Sequence, residues 1–198
     1  MIIESSAKKL VLLLFRDFSK THTVTSLAEE LKMSRIGIWK ILKRLQSENF
    51  IKLISAGSKK TSAFIININL DNVIVDKTLA LYLTEEAIRQ KRWRSNFSDL
   101  ENIADFIILF GSALYSSQKA NDIDIIIVSQ KRKFIKIQKI IDRVQKTEMK
   151  KIHNINFTEA EFIIELKKHN KAVFDAVERG VILFGQEKFI KFMKRYKK

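Results

Sequence analysis

The chain has 198 residues, 46% of them hydrophobic, with no cysteine and no proline; that suits one large domain or two small ones with ordinary cores and excludes disulfides, thiolate zinc sites and a cysteine nucleophile. Its 37 basic and 22 acidic side chains leave a net charge of +15, which favours phosphate-rich partners, nucleic acid above all. The start, Met1-Ile2-Ile3-Glu4-Ser5, carries no basic n-region with a cleavage site, and no run reaches about 18 uninterrupted apolar residues, so a cytoplasmic protein with no membrane partner is expected.

Residues 6–18 have apolar positions in a helical rhythm, and a second helix is predicted from Thr25-Ser26-Leu27, with Thr25 or Ser26 as its cap. Met33-Ser34 breaks the pattern. Ser34 can cap a third helix over 35–48, in which Ile38, Leu42 and Leu45 recur on one face, and Asn49 suits a left-handed residue at its end. Residues 50–55 and 61–69 read as two strands joined by Ala56-Gly57-Ser58-Lys59-Lys60.

Three helices followed by a basic-tipped hairpin resemble a winged helix-turn-helix domain over about residues 5–70, and the stretch Ser34-Arg35-Ile36-Gly37-Ile38-Trp39-Lys40 is similar to recognition helices of that class. The resemblance implies a double-stranded DNA partner. It places Arg35, Gly37 and Lys40 toward the major groove, Lys43 and Arg44 toward phosphates, and Lys59 and Lys60 at the wing tip. Arg35 is the candidate for a guanine contact. A solvated helix face, or a protein-interaction module, is the plainer reading of the same cations, and Trp39 is expected to pack against its neighbours.

Residues 70–83 are of mixed apolar character, and 84–102 look largely helical, starting at Thr84-Glu85-Glu86. Lys91, Arg92 and Arg94 surround Trp93. This cluster is either a nucleic-acid contact or a solvated helix face with Trp93 packed inward.

The pattern richest in chemistry comes next. Phe106-Ile107-Ile108-Leu109-Phe110 is followed by Gly111-Ser112, and Asp122-Ile123-Asp124 opens a second apolar run. Side chains alternate along a strand, so Asp122 and Asp124 share a face and can share a divalent cation. Carboxylate oxygens suit Mg²⁺. Gly111 permits close backbone approach to a phosphate, and Ser112 can cap a helix whose N–H groups attract it. A plainer reading makes the aspartates a strand terminus and Gly-Ser a loop.

Strand, Gly-Ser, short loop and Asp-x-Asp strand together resemble the nucleotidyltransferase superfamily that includes DNA polymerase beta, most closely its minimal nucleotidyltransferase branch, over about residues 99–198. The segment from Thr158 through Phe162 to Gly180-Val181-Ile182-Leu183-Phe184-Gly185 resembles the C-terminal part of such proteins. The resemblance implies that Asp122 and Asp124 are catalytic metal ligands for Mg²⁺. It implies that Gly111 and Ser112 bind a nucleoside triphosphate, ATP being the expected substrate, and that a toxin-antitoxin or defence system is the setting. Active members carry a third carboxylate on a later strand. The matching strand here, Ile152-His153-Asn154-Ile155-Asn156-Phe157, has none. His153 is either a base near neutral pH, a ligand for a softer metal, or a residue without a chemical role.

Beyond that, Arg132, Lys136, Lys139, Arg143, Lys146 and Lys150 recur at intervals of four and three, a basic stripe opposite Phe134, Ile137, Ile141 and Val144. The stripe is either a partner-binding surface or a solvated face. Charge is uneven along the chain: residues 1–70 hold 12 basic and 5 acidic side chains, 71–130 hold 6 and 9, and 131–198 hold 19 and 8. The segment carrying the aspartates is acidic between two basic flanks.

The expected architecture is α+β: a winged helix-turn-helix with three helices and a β-hairpin wing (1–70), a helical connector (71–98), and a polymerase-beta-like nucleotidyltransferase domain with a small mixed sheet (99–198). The expected function is transfer of a nucleoside monophosphate to a hydroxyl of RNA or of a partner toxin protein by a DNA-binding protein. The alternative is a non-enzymatic transcriptional regulator with a degenerate nucleotidyltransferase domain. Homodimers are common among winged-helix regulators, although no heptad run demands one.

Overall fold

The computed structural model describes residues 6–18, 20–55, 64–115 and 120–197. Helix takes 59% of these residues and strand 18%, interleaved along the chain, which makes the protein α+β. Two compact units divide it, Met1–Tyr82 and Leu83–Lys198.

In the N-terminal unit, α1 (Ser6–Arg16) buries Leu10, Val11, Leu12, Leu14 and Phe15. Helix α2 (Val24–Glu30) starts earlier than expected: Thr23, not Thr25 or Ser26, is its cap. Ser26 N–H donates to Thr23 Oγ1 at 3.2 Å, and Thr23 N–H donates back to Ser26 Oγ at 2.8 Å, so a serine closes the capping box. Helix α3 (Arg35–Ser47) is capped by Ser34, whose hydroxyl accepts from Gly37 N–H at 3.1 Å, and it buries Ile38, Leu42 and Leu45. Past its end Asn49 is left-handed, with φ 58°. Asn69 holds it there, donating from Nδ2 to Asn49 O at 3.0 Å and to Asn49 Oδ1 at 3.1 Å.

Strands β1 (Ile51–Ser55) and β2 (Phe64–Ile68) form an antiparallel pair, Ile51 opposite Ile68 and Ser55 opposite Phe64. Ile66 N–H donates to His22 O at 3.0 Å, which ties β2 to the segment before α2. His22 is itself buried, with Nε2 3.3 Å from Asp17 Oδ2. The loop expected to form the wing tip, with Lys59 and Lys60, lies outside the described residues.

Helix α4 (Val73–Arg89) begins well before Thr84, which lies inside it. Its first turn is anchored by Asn72 Oδ1, which accepts from Ile74 N–H at 2.9 Å. The alternation of Val75, Leu79, Leu83 and Ala87, all buried, extends one helical face across the stretch that read as mixed. A short helix follows, α5 (Lys91–Asn96), with Trp93 packed inward.

The C-terminal unit is built on a four-stranded mixed sheet. Its strands are β3 (Phe106–Phe110), β4 (Asp122–Val128), β5 (Lys151–Phe157) and β6 (Val181–Phe184), in the order β5-β4-β3-β6. β3 is antiparallel to β4 and to β6, whereas β4 and β5 are parallel. Parallel neighbours need a crossover, and α6 (Phe134–Thr147) supplies it. One sheet face buries Ile107, Leu109, Ile123, Ile125 and Ile127 with Ile137, Ile140, Ile141 and Val144 of α6 and Trp93. On the other, Phe106 meets Phe162, Phe189 and Phe192 at ring-centre distances of 5.8, 5.3 and 5.5 Å. These come from α7 (Glu159–Lys167) and α9 (Gln186–Tyr196); α8 (Lys171–Arg179) leads into β6. Gly185, with φ 77°, makes the turn from β6 into α9, where a Cβ would fall on the Asp105 carbonyl.

Candidate functional site

Asp122 and Asp124 stand at the start of β4, on the sheet face that carries Ile126 and Val128 further along. The antiparallel register sets Asp124 opposite Phe110, at the end of β3, one residue before Gly111. Gly111 has φ 75°, and a Cβ there would lie 2.5 Å from Asp124 Oδ2. A side chain is thus opposed twice, by the backbone conformation and by the carboxylate beside it.

The parallel register brings in a third residue. Asp124 pairs with His153 on β5, so both side chains leave the same face. His153 Nδ1 lies 3.5 Å from Asp122 Oδ2 and 3.5 Å from Asp124 Oδ1. Ligand atoms of the three residues lie within 4.8 Å of one another, a spacing that fits a divalent cation. Burial and the charge of Asp122 push the Asp124 carboxyl above the ordinary carboxylate range, and His153 opposes that shift. The arrangement concentrates negative charge that a bound cation would relieve. Asn154, on the next pleat, points elsewhere, donating to Gln138 Oε1 at 3.3 Å.

Ser112 differs from expectation. Residues 112–114 form one 3-10 turn with Gly111, not Ser112, at the cap position. A three-residue turn lacks the aligned N–H groups of a helix N-terminus. Gly111 and Ser112 are both exposed beside Asp124, which leaves room for a ligand but not the helix-dipole cradle expected.

On α3, Arg35, Lys40, Lys43 and Arg44 are exposed together with Ile36. Gly37 is half-buried against Ser34 and Met33, and a Cβ there would stand 3.2 Å from Ser34 Oγ. Trp39 packs on Phe64, ring centres 5.7 Å apart, and Lys43 Nζ rests 4.9 Å from the Trp39 ring. Arg44 Nε donates to Glu48 Oε1 at 2.9 Å, an intrahelical pair that competes with any phosphate.

In the two other basic clusters several cations have partners within the chain. Arg92 donates to the buried Glu148 at 2.8 Å and 3.0 Å, and Arg94 donates to Leu183 O at 2.9 Å. In the expected stripe, Arg132 precedes α6 and bonds Gln130 Oε1 at 2.9 Å, Arg143 pairs with Asp99, and Lys150, beyond the helix, donates to Ala120 O. Lys136, Lys139, Arg143 and Lys146 are its exposed members on α6. No family model, curated protein or solved structure matches the chain.

Proposed function

We propose that the chain is a DNA-binding protein with a nucleotidyltransferase-like domain: a winged helix-turn-helix at the N-terminus presents α3 to double-stranded DNA, and the C-terminal unit transfers a nucleoside monophosphate from a nucleoside triphosphate to an RNA or protein hydroxyl. The observation that carries this reading is the convergence of Asp122 and Asp124 beside a glycine that cannot be replaced without striking Asp124. A strand-end carboxylate pair beside an exposed glycine supports this reading, because a hard divalent cation is commonly held by one or two carboxylates together with substrate phosphates.

In this reading Asp122 and Asp124 hold a divalent cation, which supplies charge neutralisation for the triphosphate. Gly111 leaves space for the phosphates next to Asp124. The acceptor oxygen forms a bond to the α-phosphorus, the α–β phosphoanhydride breaks, pyrophosphate leaves, and the hydroxyl proton passes to solvent. The chain's contribution is positioning and electrostatics. Among the described residues no helix is long and apolar enough to cross a membrane.

A specific observation favours the second reading, a DNA-binding regulator that senses a nucleotide without turnover: β5 brings a histidine and no acid to the aspartates. One experiment separates the two. The protein is incubated with a divalent cation, each labelled nucleoside triphosphate, and total RNA or lysate. Label transferred by the wild type and lost in Asp122→Asn/Asp124→Asn supports the transferase; nucleotide bound without transfer supports the regulator.

A further inference from the structure

We propose that His153 is the third ligand of a transition-metal centre completed by Asp122 and Asp124, so that this site takes Co²⁺, Zn²⁺ or Mn²⁺ in preference to Mg²⁺. The inference rests on the reading that the two aspartates hold a divalent cation; it does not depend on what, if anything, is transferred.

Three observations carry it. The first is spacing. Nδ1 of His153 is equidistant from two carboxylates, at 3.5 Å from each. A charge-assisted N–H···O bond closes to about 2.7–2.9 Å, shorter than either contact here. Metal bonds of about 2.0–2.2 Å to nitrogen and oxygen, arranged tetrahedrally, separate ligand atoms by about 3.4 Å. The two His153 distances lie close to the separation of ligands around a tetrahedral ion, and all three ligand atoms fall within 4.8 Å of one another.

The second observation is how firmly the backbone sets this spacing. Asp124 and His153 are direct partners in a parallel ladder that continues from Asp122 and Lys151 to Val128 and Phe157. A slip by one residue would send the imidazole to the α6 side of the sheet. Asn154, which occupies that side, is engaged with Gln138 and Asn156.

The third is access. His153 is 45% exposed, and Asp124 Oδ2, the oxygen beside Gly111, is not the one that faces the imidazole. Ligands can therefore reach the centre from the β3 end while His153 closes the β5 side.

Donor chemistry then decides the cation. Mg²⁺ is hard, takes oxygen ligands in near-ideal octahedral geometry and dehydrates reluctantly. Imidazole nitrogen favours the later first-row divalent ions, whose affinity for nitrogen sites rises from Mn²⁺ through Co²⁺ and Ni²⁺. An all-carboxylate version of this site would suit Mg²⁺; a histidine in the third place shifts the preference.

The test is direct metal binding to the full chain. Co²⁺ is titrated with visible absorption as readout, and Zn²⁺, Mn²⁺ and Mg²⁺ are titrated calorimetrically. The proteins are the wild type, His153→Ala, His153→Asp and Asp122→Asn/Asp124→Asn. In the wild type, Co²⁺ and Zn²⁺ should bind on the order of 100-fold tighter than Mg²⁺. His153→Ala should weaken Co²⁺ and Zn²⁺ by about tenfold or more while leaving Mg²⁺ nearly unchanged, and His153→Asp should move the preference back toward Mg²⁺. The Co²⁺-loaded wild type should also show a hyperfine-shifted imidazole resonance that is absent from His153→Asp, a readout that does not depend on the alanine variant folding. Wild type that binds Mg²⁺ as tightly as Co²⁺, or Co²⁺ binding indifferent to His153 yet abolished by the double asparagine variant, would overturn the proposal and leave the aspartate site standing. Wild type that binds none of the four ions, or binding that survives the double asparagine variant, would remove the aspartate reading and the proposal with it.

Discussion

Helix α3 in the N-terminal unit and the β4–β5 edge in the C-terminal unit both gather charge, by opposite routes. On α3, Arg35, Lys40 and Lys43 follow one another along a few turns, and their exposure is a consequence of burying Ile38, Leu42 and Leu45 on the other face. At the sheet edge, Asp122 and Asp124 are neighbours in sequence, but His153 reaches them through a crossover helix and a parallel register. A surface made by one helix tolerates changes at single positions, because each cation acts nearly alone. A site made by registered strands depends on the core beneath it.

Removing that core should give the largest effect. Phe106→Ala deletes a ring that touches Phe162, Phe189 and Phe192, and should cost about 3–5 kcal/mol in urea unfolding. Cation binding should weaken in parallel as the sheet loosens. If binding persisted in the unfolding range of this variant, the dependence of the site on registered strands would be wrong.

Arg35→Ala tests the other side of the contrast. It should lose about 1–3 kcal/mol of specific DNA affinity in fluorescence anisotropy, with the melting temperature unchanged. Lys43→Ala should weaken binding evenly across sequences and reduce the salt slope by about one. Uniform weakening by Arg35→Ala would demote it to a phosphate contact.

Gly111→Ala acts at the sheet edge itself, with a smaller cost. A side chain at φ 75°, 2.5 Å from Asp124 Oδ2, should cost about 1–2 kcal/mol of stability and displace the carboxylate, so that cation affinity falls more than stability does. Ser34→Ala should cost about 1 kcal/mol by freeing Gly37 N–H, with cation binding untouched.

The smallest effect concerns Asp124 itself. Its carboxyl is held above the usual range, first by burial and then by Asp122, so the folded protein binds a proton there more readily than the unfolded chain. The stability this group contributes is present below the unfolded value and lost as pH rises through the folded one. Asp124→Asn should therefore raise the melting temperature slightly at neutral pH and flatten its dependence in the acid range. A divalent cation should stabilise the wild type and not this variant. A lower melting temperature for Asp124→Asn without cation would contradict the electrostatic account of the site.

Much of the local structure was legible in the chain. Ser34 as a cap, the buried stripe of α3, left-handed Asn49, inward-facing Trp93 and the strands around Gly111 and Asp122 all follow from short-range steric and hydrogen-bonding preferences. Errors arose where two local signals competed. Thr23 outranked Thr25 as a cap because Ser26 could close the box with it, and α4 ran through Thr84 because its buried face at Val75, Leu79, Leu83 and Ala87 continues past a plausible start signal. Arg92, Arg94 and Arg143 looked like free cations because their partners Glu148, Leu183 and Asp99 are distant in the chain.

By itself the sequence determined an α+β chain, its main helices and strands, and two aspartates obliged by strand alternation to share a face. Whether a third group joins them was decided by tertiary structure, since the choice between His153 and Asn154 is a choice of strand register. Register is set by which residues the whole sheet can bury, with Ile123 and Ile125 against α6 and Phe106 against the aromatic face, and no local pattern around His153 carries that information.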